Sequence, residues 1–384
     1  MNLPALQLKP GKGPRALQGH PWAYLSDVRE MLPDKLYGKA VELKDSRGKS
    51  LGAGLYNGHS QIVWRRYSRE VVPFNRAYLL SAIGAAMGRR PDEPNRRIVW
   101  SEADGLPGLI VDQFSDVLVV QLQTLGMDDH RADIESVLVE LLSPKEIVYR
   151  NDAPSRQKEG LKLESSTMTG ERLPAQWFEI DGVQYFLDHL SGQKTGFYLD
   201  QRQEHLRIAS MAKGRRVLDA FCNQGAFGLQ CAKAGAASVL ALDISEDCIK
   251  ATKLNAGKNQ LAVDAEEANV FDWFTKNRKG EYDLIVLDPP SFARNKKAVG
   301  GALRGYKELN LRALNLLAPG GILATYSCSA SVGLEQFIEV AQQAASDAKR
   351  DVRLVEITGQ PADHPALLNM PESHYLKGLV LEAR

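Results

Sequence analysis

Cys328, in the stretch Ser327-Cys328-Ser329, is the side chain with the most chemical potential in this 384-residue chain. A thiol becomes a strong nucleophile once ionised, and a small thiolate fraction at neutral pH is enough to attack an electron-poor carbon. The apolar run before it, Gly321-Ile322-Leu323-Ala324-Thr325-Tyr326, reads as a buried strand, so the thiol is expected at a strand's mouth. A second apolar run ends on Asp288-Pro289-Pro290-Ser291-Phe292. There an acidic side chain and a backbone carbonyl can accept from a planar amine, and the paired prolines stiffen the backbone that meets it. Asp288 and Cys328 are the candidate catalytic pair. Pro289, Pro290, Ser291 and Phe292 are candidate substrate contacts.

Two further strand ends carry side chains suited to a nucleoside ligand. Val217–Phe221 runs into a small-residue turn that opens a helix, with Asp219, Phe221, Asn223 and Gly225 spaced as D-x-F-x-x-x-G. Such a turn lets backbone approach a ligand while helix N–H groups point at it. The next strand ends on Asp243-Ile244, where a carboxylate can accept from both ribose hydroxyls. After the third strand, Asn269-Val270-Phe271-Asp272 offers Asp272 to an adenine amino group. A dinucleotide fold shares the glycine turn and the acidic strand end, so NAD competes. The loop does not read G-x-G-x-x-G, however, and Asp-Pro-Pro follows at the fourth strand. The four elements in this order favour S-adenosylmethionine, with Asp288 also within the cofactor set.

The thiol narrows the acceptor. C5 of a pyrimidine is not nucleophilic until a thiolate adds to C6, whereas ring nitrogens and exocyclic amines need no such help. Cys328 therefore points to C5 of a pyrimidine. The competing readings are an RNA guanine or adenine N-methyltransferase using Asp288-Pro289-Pro290 alone, and a non-catalytic RNA-binding assembly factor.

These residues must be positioned by an α/β framework. Apolar strands at Val217–Phe221, Val239–Asp243, Leu284–Asp288 and Ile322–Ser327 alternate with helices, which implies a Rossmann-like parallel sheet with ligands at its carboxyl edge. A hairpin at Phe178–Ile180 and Tyr185–Asp188 precedes it. Residues 71–172 read as a middle α/β domain, with a helix at Arg76–Met87, strands at Ile98–Trp100, Leu109–Val111 and Val117–Leu122, and a helix at Asp129–Leu142. Residues 1–70 read as a small β-barrel, with strands such as Lys39–Leu43 and Gln61–Arg65 between turn residues. The expected division is thus 1–70, 71–172 and 173–384.

The formal net charge is only +1, but residues 1–70 hold twelve Lys and Arg against six Asp and Glu. That excess places a phosphate-attracting surface at the N-terminal end. No apolar run approaches the roughly 18 residues of a membrane span, and Met1–Lys12 lacks the apolar core of a signal peptide, so a cytoplasmic protein is expected. The cysteines Cys222, Cys231, Cys248 and Cys328 contain no C-x-x-C pair, which gives a metal site no support. The first three read as buried core residues.

Several stretches together resemble the bacterial large-subunit (23S) ribosomal RNA cytosine-C5 methyltransferases. They are basic Gly13–Val28 with His20-Pro21-Trp22, Glu102–Asp112, Gly192–Arg202, Asp288–Phe292 and Tyr375-Leu376-Lys377-Gly378. The resemblance spans essentially the whole chain. It implies an N-terminal PUA domain that binds RNA, a middle α/β domain, and a class I catalytic domain using S-adenosylmethionine with Cys328 as nucleophile. It also implies that Tyr198 and Gln201 flank the cofactor, and it is compatible with a homodimer. The wider class carries a second cysteine beside the proline of the fourth-strand motif. This chain has Pro290-Ser291 there, which leaves the base that removes the C5 proton unassigned.

Overall fold

The computed structural model describes residues 3–192, 194–276, 280–293 and 296–384. They form two units. One comprises Met1–Gln176, Leu187–Leu199 and Ala362–Ser373, and the other Trp177–Phe186, Asp200–Pro361 and His374–Arg384.

The first unit opens with β1 (Ala5–Gln7), α1 (Pro14–Leu17), β2 (Trp22–Tyr24), β3 (Ala40–Lys44), β4 (Ser50–Tyr56) and β5 (Ile62–Ser68), whose sheet runs β1-β3-β4-β5-β2. Trp64 is fully buried at its centre and donates from Nε1 to the Val41 carbonyl at 2.9 Å. Position 54 has to be glycine, because a Cβ there would lie 2.4 Å from that indole. After α2 (Arg76–Gly88), a second sheet follows from β6 (Asn95–Trp100), β7 (Leu109–Phe114), β8 (Val117–Leu122), β9 (Glu146–Asn151) and β10 (Glu164–Thr167), in the order β10-β9-β8-β7-β6. The helix expected at 129–142 is α4 (Arg131–Leu142), and a short α3 (Leu125–Asp129) precedes it. The two sheets share one hydrophobic core, in which Leu55 and Tyr67 join Leu79, Leu106 and Met127. Both sheets therefore lie in one compact unit.

The second unit carries the hairpin β11 (Gln176–Ile180) and β12 (Val183–Leu187), then α5 (Arg202–Ser210). Next come β13 (Arg216–Ala220), α6 (Ala226–Lys233), β14 (Ser238–Asp243), α7 (Glu246–Asn259), β15 (Asp264–Glu267), α8 (Val270–Lys276) and β16 (Tyr282–Leu287). The chain closes with α9 (Val299–Leu316), β17 (Leu317–Ser327), α10 (Leu334–Asp347), β18 (Val352–Gly359) and β19 (Lys377–Ala383). The sheet order is β15-β14-β13-β16-β17-β19-β18. Its first five strands are parallel, with helices covering both faces, so β13 and β16 read as near-continuous apolar runs. The four strands expected from the sequence are parallel, and two further strands extend the sheet at one edge. There β19 runs antiparallel to both β17 and β18.

Two excursions from the C-terminal stretch, Leu187–Leu199 and Ala362–Ser373, belong to the first unit. In the first, His189 packs on Phe114 and its carbonyl accepts from Arg150, while Thr195 donates to Asp112 at 2.6 Å. In the second, Asp363 accepts from the Arg97 amide at 3.0 Å and Glu372 pairs with Arg15. Each link joins residues far apart in sequence, where no local pattern announces them.

Candidate active site

The turn between β13 and α6 is strained in an alternating way. Phe221, Asn223 and Gly225 have φ of 68°, 50° and 83°, all in the left-handed region, while the residues between them do not. For a bulky side chain such as Phe221 this region is costly, and strain of this kind concentrates at ligand sites. Two carboxylates hold the turn in shape. Asp219 Oδ2 accepts the Gly228 amide at 2.8 Å, and Asp243 accepts the amides of Asn223 and Ser245 at 3.0 and 2.9 Å. Asp219 is 1% exposed, and its carboxyl is pushed up to about 7, chiefly by burial, with the charges of Asp288 and Asp243 adding.

Whether these residues fit a cofactor is answered by what they leave unpaired. Asp219 Oδ1 and Gln201 Oε1 are both buried acceptors without a hydrogen-bond partner. A buried acceptor left so is costly, and the α-ammonium and hydroxyls of an S-adenosyl ligand are donors that would relieve it. At the mouth of β14, Ile244 presents an aliphatic side chain that is 67% exposed, a surface suited to the face of a purine. Asp272 lies exposed in the first turn of α8, next to Asn269, whose side chain accepts from the Phe271 and Asp272 amides. Tyr198 belongs to the segment that groups with the first unit, where Lys194 Nζ sits 4.1 Å from its ring centroid.

The substrate side is built by β16 and β17, parallel neighbours in which Leu287 pairs with Thr325. Their ends therefore present Asp288 and Cys328 at the same edge. Pro289 is buried and Pro290 exposed. Ser291, expected to touch substrate, is half-buried and shares a hydrogen bond with Ser329 Oγ at 2.9 Å. Ser329 Oγ also meets Tyr306 Oη at 3.0 Å, and Tyr306 accepts from Ser327 Oγ at 3.0 Å. This buried hydroxyl chain ties the Asp-Pro-Pro turn to the residues on either side of Cys328. Cys328 is itself half-buried. Cys222 and Cys231 are buried and Cys248, expected buried, is half-exposed on α7; burial pushes all three thiols up.

The surroundings that the sequence did not reveal include a cleft, a buried lysine and a long-range hydrogen bond. Phe271 and Phe292, with centroids 6.4 Å apart, wall an open cleft of about 500 Å³ together with Lys297 and Arg304. Aromatic faces beside cations suit a stacked base with its phosphate. Lys377 is buried at the start of β19, opposite Ser327. Tyr375 donates to Asp200 at 2.7 Å, which joins two of the stretches quoted for their resemblance. Their separation of 175 residues hides this from any local reading.

This arrangement can be set against known proteins. Residues 160–378 match a family described as S-adenosylmethionine-dependent methyltransferase, and residues 6–69 match a PUA-like domain. Relatives named ribosomal RNA large subunit methyltransferase I occur in Shewanella amazonensis, 39% identical over 98% of both chains, and in Aeromonas hydrophila, 37% identical over 99% of both. The chain belongs to the ribosomal RNA large subunit methyltransferase I family. It is an S-adenosylmethionine-dependent methyltransferase with an N-terminal PUA-like domain. In fold it is similar to a methyltransferase crystallised with S-adenosylhomocysteine (TM-score 0.83, 20% identity, 99% of this chain and 100% of that one). A second methyltransferase, from Streptococcus mutans, gives a TM-score of 0.82 at 19% identity over the same shares of each chain. Among the described residues, no helix is long and apolar enough to cross a membrane, and no group of three His, Cys, Asp or Glu could hold a metal.

Proposed function

We propose that this methyltransferase modifies C5 of a cytosine in large-subunit (23S) ribosomal RNA, with Cys328 as nucleophile. The observation that carries the reading is the placement of Asp288 and Cys328 just beyond the ends of adjacent parallel strands, with a Ser291–Ser329 hydrogen bond between the two turns. The cofactor supplies an electrophilic methyl group. Asp219, Phe221, Asn223, Gly225, Asp243, Ile244, Asp272 and Gln201 are its proposed contacts, with Tyr198 a further candidate. Cytosine enters flipped or single-stranded beside Pro289, Pro290 and Phe292. Asp288 stabilises a proton on N3, and the protonated ring draws electrons from C6. The Cys328 thiolate adds to C6, C5 takes the methyl, a base removes the C5 proton, and β-elimination returns the thiolate.

Relatives named for large-subunit ribosomal RNA support that substrate. The PUA-like unit supports a phosphate-binding role, since Lys12, Lys35, Arg47 and Lys49 are exposed. Such a substrate fits a cytoplasmic protein. A homodimer fits the open edge of the seven-stranded sheet, where Leu354, Val355 and Ile357 of β18 are 44–46% exposed.

Replacing Cys328 by Ala is expected to abolish 5-methylcytidine formation while cofactor and RNA affinities stay near wild type. Mass spectrometry of nuclease-digested RNA reads the product. Undiminished 5-methylcytidine from that variant would overturn the covalent route, and a 5-fluorocytosine RNA should trap the wild-type enzyme as an adduct.

A further inference from the structure

We propose that Lys377 is the positioning residue that keeps Cys328 ionised, its ammonium serving as counter-charge to the thiolate. This rests on Cys328 being the nucleophile. The geometry begins with burial: Lys377 is 3% exposed, yet no carboxylate forms an ion pair with it among the described residues. A buried ammonium without a counter-charge is expensive, so a lysine kept in such a place needs an anion that the protein creates there. What holds it is neutral. Nζ donates to the carbonyl of Ser329, the residue after Cys328, at 2.8 Å, and to the carbonyl of Tyr375 at 2.7 Å. Two of its three N–H directions are therefore taken, and they anchor the ammonium beside the backbone that carries the thiol.

Register fixes the neighbourhood. Ser327 pairs with Lys377 at the end of β17 and β19, so the cation stands at the strand mouth rather than along the strand. Burial lowers the lysine to about 8, and the opposing influence is the charge of Cys328. Tyr306 of α9 also lies within reach of the Cys328 charge; burial pushes its hydroxyl up and it stays neutral. Asp288, after neighbouring β16, contributes negative charge and so disfavours a thiolate. Lys377 is the cation that offsets it. On ionisation the Sγ–H proton passes to bulk water, and the thiolate remains opposite the ammonium.

The test titrates Cys328 directly. Iodoacetamide alkylation, followed on the Cys328 peptide by mass spectrometry across pH 5.5 to 10, reports its thiolate fraction whether or not RNA is methylated. The wild-type midpoint is expected below the roughly 8.5 of a free thiol. Lys377→Met should raise it by about one unit, slowing alkylation at pH 7 roughly tenfold. Lys377→Arg, which keeps a fixed charge, should stay near wild type. Turnover should fall in Lys377→Met with RNA affinity unchanged, and its loss should shrink as pH rises. Equal midpoints in wild type and a Lys377→Met protein of native circular dichroism would overturn the proposal. If Lys377→Met does not fold, a wild-type midpoint at or above 8.5 overturns it equally and one below supports it. Failure of the nucleophile reading is separate, because it appears as 5-methylcytidine made by Cys328→Ala.

Discussion

Asp219 shows how one buried carboxyl links stability to ligand binding. Its folded-state pKa of about 7 stands well above the ordinary 3.8, mainly through burial. Below about pH 4 both folded and unfolded chains hold the proton. Between there and about 7 the unfolded chain has released it while the folded chain keeps it, so stability declines as pH rises through that window. Above it, the folded protein carries a buried charge. Asp219→Asn removes that cost. The variant is expected to exceed wild type by on the order of 2–4 kcal/mol at pH 8 and to converge with it near pH 4. Cofactor affinity should move the opposite way, falling tenfold or more, because the amide nitrogen replaces the unpaired Oδ1 acceptor. Urea unfolding at the two pH values, with calorimetric titration of S-adenosylmethionine, checks both halves. A stability difference that ignores pH would mean that Asp219 is not held protonated.

At the scale of elements, the β13–α6 turn is where local chemistry and ligand geometry meet. Asn223 is among the few residue types that tolerate φ of 50°, and its amide donates to Asp243 from that conformation. Its side-chain contact, Nδ2 to Cys248 Sγ at 3.8 Å, is weak. The backbone therefore matters more than the amide group. Asn223→Gly should keep stability and cofactor affinity close to wild type. Asn223→Val should lose about 1–2 kcal/mol of stability, because a β-branched side chain clashes in the left-handed region, and should bind cofactor more weakly. If valine is tolerated as well as glycine, the turn is not conformationally constrained. This element was legible in sequence because small residues after an apolar strand and before a helix have few other readings. The alternation of left-handed residues within it was not, since Phe221 has no intrinsic preference for that region.

For the whole molecule, the shared core changes how RNA capture should be tested. Leu55 and Tyr67 pack with Leu79, Leu106 and Met127, so removing residues 1–70 would unroof the middle sheet. Nor are all twelve cations of that segment available to phosphate. Arg65 is paired with Glu102 and Glu159, Arg15 with Glu372, and Lys39 with Asp129. The cleaner experiment changes Lys12, Lys35, Arg47 and Lys49, all exposed, to Ala together. Ribosomal RNA affinity should fall, and the slope of log affinity against log salt should become shallower by up to roughly 3. Cofactor affinity should not change. An unaltered salt slope would remove these four side chains from the RNA surface.

Composition, periodicity and motif order were sufficient for the α/β class, the alternation of strands and helices around the cofactor turn and the placement of Asp288 and Cys328 at strand ends. Those features depend on contiguous residues, because a strand buried on both faces must be apolar throughout and its ligand-facing residues must follow immediately. Tertiary structure alone decided the antiparallel β18 and β19, the excursions at Leu187–Leu199 and Ala362–Ser373, and the core shared by the first two sheets. It alone joined Ser291 to Ser329 and brought buried Lys377 beside the thiol's backbone. The physical reason is the same in each case. A hydrogen bond between residues 38 or 48 positions apart depends on strand register, and a buried cation is recognisable only once its surroundings are known to exclude water and carboxylates.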